Sequence, residues 1–169
     1  MLLIAHRGNM NGPNPEKENT LEYLGLALAQ GYGVEVDIWV IQGMVFLKHD
    51  EPTLLDRPID LVELWKLKQN ENVFFHCKNI QALVFLTTCD LAEQSDFFMH
   101  DKDKAVLTAN GWIWTAYPEH VGEDTIIIAP RMTSWDLKSR PYAICSDYVS
   151  LLHQQLHPFT WAFNGCKFI

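Results

Sequence analysis

Apolar residues fall along this chain in short runs broken by polar turns, and most runs are short enough for strands rather than helices. The segments LLIA, GVEVDIWV, MVFLKH, NVFFHCK, DFFMHD, GWIWTAY, DTIIIAP and YAICSDYV read as strands. Three stretches between them carry helical spacing instead. In NTLEYLGLALAQG, Asn19 or Thr20 can cap a helix whose stripe is Leu21, Leu24 and Leu28, and Gly31 ends it. A second helix is predicted near DLVELWKLKQN and a third near IQALVFLTTCDLA. Strands alternating with helices predict an α/β fold with a mainly parallel sheet. Between Asp96 and Tyr148 the helical pattern fades, and Gly111, Pro118, Gly122, Pro130 and Pro141 punctuate short loops. No repeat or low-complexity linker divides the chain, so residues 1–169 read as one domain.

Composition sharpens the picture in two places. With 169 residues and 48% hydrophobic content, the chain can bury a sizeable core. A formal charge of -8 argues against a nucleic-acid partner, and an anionic ligand would need locally gathered cations. MLLIA lacks a basic leader and meets His6 and Arg7 too soon for a signal-peptide core. No run approaches the roughly 20 apolar residues of a membrane helix. A cytoplasmic protein without stable membrane insertion is expected. Cys77, Cys89, Cys145 and Cys166 show no CxxC spacing and read as buried free thiols.

Several apolar strands end on polar residues, and that is where chemistry is expected. Side chains alternate along a strand, so Glu35 and Asp37 share one face while Val34, Val36 and Ile38 take the other. Two carboxylates facing the same way repel unless a cation or basic partner compensates, which makes a metal the economical reading; a solvated edge strand is the bland one. In NVFFHCKNI, His76 and Lys78 share a face with Phe74. His6 with Arg7, and His49, likewise follow apolar runs. Such residues converge at the C-terminal mouth of a parallel barrel. His100, in HDKD, borders the same mouth or is simply solvated.

AHRGN at 5–9, ENT at 18–20, VEVD at 34–37 and HDEP at 49–52 resemble, in order and spacing, the opening of the glycerophosphodiester phosphodiesterase family. CSDY at 145–148 weakly resembles the family's last strand end. The resemblance implies a TIM-type (β/α) barrel that cleaves a small-molecule phosphodiester with a bound divalent cation: Mg²⁺, Mn²⁺ or Ca²⁺. It implies His6 and His49 as the acid/base pair, Arg7 as a phosphate ligand, and Glu35 with Asp37 as metal ligands.

Two departures matter. The family usually has a glutamate two residues before a lysine on its third barrel strand; here that pair is His76 and Lys78, which adds His76 to the expected metal ligands. HCKN, HDKD, WTAYP and CSDY look more like a short bacterial subgroup whose substrate the resemblance does not name. Lys78, for its positive charge beside Arg7, and His100, at the border of the mouth, are the further expected substrate-binding residues. The chain is also shorter than the at least about 200 residues of a TIM barrel. It must shorten helices or omit a strand, and a compact, helix-poor second half is expected.

The expected activity is metal-dependent hydrolysis of a glycerol- or sugar-linked phosphodiester by histidine acid/base catalysis. A lysophospholipid or phosphoinositide headgroup is a further candidate, although no apolar lid or basic membrane patch stands out. A non-catalytic phosphoester-binding protein descended from such an enzyme is the reading from a different class.

Overall fold

The computed structural model describes residues 1–88, 95–117, 121–134 and 140–158. In chain order the elements are β1 (Leu2–His6), α1 (Leu21–Ala29), β2 (Gly33–Ile41), β3 (Met44–Leu47), α2 (Leu61–Lys68), β4 (Val73–Cys77), α3 (Ile80–Thr88), β5 (Asp96–Met99), β6 (Ala105–Leu107), β7 (Ile113–Thr115), β8 (Thr125–Ile128), β9 (Ala143–Ser146) and α4 (Val149–Leu156). The strands form one sheet ordered β5-β4-β2-β1-β9-β8-β7-β6, with β3 attached to β2 off that path. Pairing is parallel except at β2–β3 and β6–β7. The free edges nearly meet, because the Ala109 N–H, just past β6, donates to the Phe97 carbonyl of β5 at 2.9 Å. The result is an α/β fold around a nearly closed, barrel-like sheet of eight strands, mostly parallel and short of helices.

Alternation along the strands makes two apolar layers. Leu3, Ala5, Val34, Val36, Ile38, Phe75 and Cys77 face outward and pack with Leu24 and Ala27 of α1, Leu64 of α2 and Leu86 of α3. Ile4, Phe74, Phe98, Trp114, Ile126, Ala143 and Cys145 fill the interior instead. His6, Glu35, His76 and Asp147 continue that inward face, each two residues beyond an interior position or paired in register with one. The interior is thus apolar at the N-terminal end of the strands and ionic at the C-terminal end.

Some expectations need correction. MVFLKH does form a strand, but β3 runs back against β2 as a hairpin rather than entering the barrel path. The cause is the Gln42–Gly43 turn, whose φ values of 51 and 77° are those of a tight two-residue hairpin. β6 is too short, at three residues, to stand out in the sequence, and α4 has no capping side chain to mark its start. Among the described residues no helix lies between β5 and β9, as the faded pattern predicts. None of the described helices is long and apolar enough to cross a membrane. Cys77 and Cys145 are buried free thiols; burial pushes Cys77 up to about 12 and Cys145 well above its ordinary value. Cys89 and Cys166 lie outside the described residues.

Candidate metal and acid/base site

Strand register assembles the site. His6 pairs with Glu35 across β1–β2, and Asp37 pairs with His76 across β2–β4. Four side chains from three adjacent parallel strands therefore sit side by side at one mouth of the sheet. Glu35, Asp37 and His76 each bring a ligand atom within 4.8 Å of the others. His76 Nδ1 is 3.1 Å from Asp37 Oδ1 and 3.5 Å from Glu35 Oε1.

The chain between β1 and α1 is shaped to serve those carboxylates. Arg7 takes a left-handed conformation, φ 53°, and its N–H donates to Glu35 Oε2 at 3.2 Å. Its carbonyl accepts from the Asn19 N–H at 3.1 Å, and Asn19 is itself left-handed at φ 60°. Non-glycine residues in that region are uncommon and gather where geometry is over-determined, as at functional sites. Gly8 follows at φ 85°; a Cβ there would lie 3.0 Å from the Tyr23 ring and 3.3 Å from the Leu24 nitrogen. AHRGN can therefore turn tightly only where it packs on α1.

Asp37, fully buried, is the hub. Asn19 Nδ2 donates to its Oδ2 at 3.1 Å, Arg7 Nε stands 3.0 Å from Oδ2, and Lys78 Nζ stands 3.3 Å from Oδ1. Burial alone would raise its pKa, but His76, Lys78 and Arg7 outweigh that and hold the carboxyl well below the usual range. Even so, Oδ1 makes no well-aligned hydrogen bond to either neighbouring cation. A buried anionic oxygen without a hydrogen bond is a group that a metal ion would satisfy.

His76 fits the same role. Its ring stacks on Phe98 with centroids 5.0 Å apart, and Nε2 donates to the His100 carbonyl at 3.3 Å. That bond fixes a proton on Nε2 and turns Nδ1 toward the carboxylates, the arrangement in which metal-ligating histidines are commonly held. Burial lowers the His76 pKa, but Asp37 and Glu35 more than reverse this and carry it to about 9. The His100 ring itself lies tilted against His76, centroids 6.1 Å apart, so the structure brings its backbone rather than its imidazole to the cluster. Lys78 reaches the cluster directly through Asp37.

His6 anchors a second half of the site. Its Nδ1 donates to Asp147 Oδ1 at 2.8 Å, while Nε2 lies 4.0 Å from Glu35 Oε2. Burial lowers its pKa, but the Asp147 bond and the Glu35 charge prevail and raise it. Asn9 Nδ2 bridges Asp147 Oδ1 and Glu18 Oε1, each at 2.8 Å, and Arg7 Nη1 donates to Glu18 Oε2 at 3.2 Å. Asn9, Glu18 and Asp147 are thus site residues that had no role in the sequence reading, although they lie in AHRGN, ENT and CSDY, and Asn19 had only that of a possible helix cap. Thr20, not Asn19, caps α1, with its side chain accepting from the Tyr23 N–H. A polar residue left over beside an adequate cap was the available signal.

Beside the cluster opens a cleft of about 590 Å³, lined among others by His6, Arg7, Glu18, Lys48, His49 and Arg131. His49 enters it from the loop after β3, half-exposed, with Nδ1 donating to Asp50 Oδ1 at 2.8 Å. Four carboxylates, Glu18, Glu35, Asp37 and Asp147, face two permanent cations, Arg7 and Lys78. Protonated His6 and His76 can make up the deficit, and so can one divalent cation. No protein-family model, curated protein or solved structure matches this chain.

Proposed function

We propose that this chain is a divalent-metal-dependent phosphodiesterase on a compact TIM-type (β/α) barrel, hydrolysing a glycerol- or sugar-linked phosphodiester. The observation that carries this reading is the Glu35–Asp37–His76 triangle, its two carboxylates buried and its imidazole partly so, beside a cleft that also holds His6, Arg7 and His49. A bound divalent cation would supply the positive charge that a phosphodiester needs to accept a nucleophile. The mixed carboxylate and imidazole donors suit Mn²⁺ better than Ca²⁺, which prefers an all-oxygen shell.

The chain's own residues supply the remaining steps. Arg7 spends two guanidinium nitrogens on Asp37 and Glu18 and has further N–H groups for a phosphoryl oxygen. His6, whose neighbours favour its protonated ring, donates the proton to the departing alcohol. His49, turned by Asp50, accepts the proton of the attacking hydroxyl. That hydroxyl belongs either to water or to the substrate itself, giving a cyclic phosphate in the second case.

Calorimetric metal titration combined with turnover of glycerophosphodiesters tests the reading. Expected are tight binding of one divalent ion, activity lost to chelator and activity restored by Mn²⁺. Phosphoester binding without turnover under any divalent cation would instead identify a non-catalytic binding protein.

A further inference from the structure

The loop after His49 presents the most exposed large apolar side chains among the described residues: Leu54 at 105% and Leu55 at 93% of full exposure. This tip is braced rather than slack. Asp56 accepts from the Thr53 N–H at 2.7 Å, from Thr53 Oγ1 at 2.8 Å and from Lys48 Nζ at 2.7 and 2.8 Å. The Ile59 N–H then ties the outgoing chain to the Val45 carbonyl at 2.7 Å. With its base fixed in this way, the pair stands off the surface. Leu61, Val62 and Trp65 of α2, a few residues further along the chain, are exposed as well.

We propose that the Leu54–Leu55 tip docks this protein on an electrically neutral, zwitterionic phospholipid surface. Shape favours a bilayer over a protein pocket: two neighbouring leucines at nearly full exposure form a convex tip, and acyl chains part around a tip without a preformed cavity. Burying the pair removes apolar area from water, and Trp65 is a residue type favoured at the interface. Charge selects the headgroup. Between residues 50 and 66 lie five acids and two bases, on a chain of net charge -8, so an anionic leaflet repels this face. Acidic Asp50, Glu51, Asp60 and Glu63 complement the cationic end of a choline headgroup.

The placement has a consequence for the cleft. Lys48, His49 and Asp50 line it, and Leu54 follows four residues after Asp50. A tip seated among acyl chains brings the cleft to the level of headgroup phosphodiesters. Docking itself goes beyond the phosphodiesterase reading and does not depend on turnover.

Co-sedimentation of the full chain with phosphatidylcholine vesicles, and with vesicles partly replaced by phosphatidylserine, tests it. Expected are partition onto phosphatidylcholine, weaker partition as phosphatidylserine rises, and a loss of at least about tenfold in Leu54→Ser/Leu55→Ser. Both side chains are solvent-exposed, so the double variant should fold, with circular dichroism as the check. Failure of the parent to partition, equal partition of the variant, or stronger binding to the anionic vesicles would each overturn the proposal. So would a parent dimer in sedimentation velocity that the same two substitutions dissolve, since the tip would then serve a second copy.

Discussion

Asn19 grips Asp37 from two directions: its Nδ2 donates to Asp37 Oδ2 at 3.1 Å, and its Oδ1 accepts the Asp37 N–H at 3.0 Å. One side chain thereby fixes the carboxylate and satisfies a buried backbone donor in the strand that carries it. Asn19→Ala removes both bonds and places a Cβ residue of poorer fit at φ 60°. A loss of roughly 1–3 kcal/mol is expected from the unsatisfied groups. Asn19→Gly loses the same bonds but tolerates the backbone, so it should be the milder variant. Urea unfolding of the three proteins checks this; equal stability of parent and Ala variant would dismiss the clamp.

Glu35 and Asp37 look alike in sequence, and their removal should differ. In the metal-free protein Asp37 is surrounded by Arg7, Lys78 and His76, so Asp37→Ala leaves cationic groups without their shared partner. Breaking a largely buried cluster in this way costs about 3 kcal/mol. Glu35→Ala leaves Asp37 in place to hold those cations and should cost less. Both variants should lose tight divalent-metal binding. Thermal unfolding with chelator, alongside metal titration, separates the structural loss from the ligand loss.

His76 sets a pH window for the metal-free protein. Its folded pKa of about 9 lies above its unfolded value near 6.5, so its contribution is fully present below the unfolded value and fades as pH rises through about 9. Asp37 works in the opposite sense: its depressed pKa gives stability above the ordinary carboxylate range that is lost as pH falls. Stability should be greatest between these limits. Denaturant midpoints across pH read this directly, and His76→Gln should flatten the alkaline side. A divalent ion must also displace the His76 proton, so metal binding at pH 7 should release about one proton. Calorimetry in buffers of different ionisation enthalpy counts it.

The strand ends were legible because alternation is a strict rule: once NVFFHCK is a strand, His76 and Lys78 must share the face of Phe74. The register that sets His6 beside Glu35 and Asp37 beside His76 was not legible, since it depends on which strands pair. Asp147 shows the difference most clearly. It lies 141 residues from His6, and only the β1–β9 pairing brings them together. Strand β6 escaped because it is only three residues long, and helix α4 because no capping side chain marks its start, although Val149 and Leu152 fall at helical spacing on its buried face. Leu54 and Leu55 drew no reading from the sequence; their exposure shows only in the structure, where Asp56 braces the base of their loop.

Asp147 supports His6 in two ways, by accepting the Nδ1 proton and by placing negative charge beside the ring. Asp147→Asn separates them. An asparagine oxygen can still accept from His6 Nδ1, so the ring orientation survives, but the charge that favours the imidazolium is gone. If His6 is the general acid, turnover should fall while affinity for Mn²⁺, held by Glu35, Asp37 and His76, stays within about twofold, because no metal ligand has changed. His6→Ala removes the proton donor itself and should cost about 10² to 10⁴ in turnover. A leaving group that needs no proton, such as p-nitrophenol in a bis-ester, provides the decisive comparison. Both variants should recover most of their lost rate on that substrate if His6 protonates the departing oxygen. Equal losses on activated and unactivated diesters would place His6 elsewhere in the reaction and assign the proton to His49.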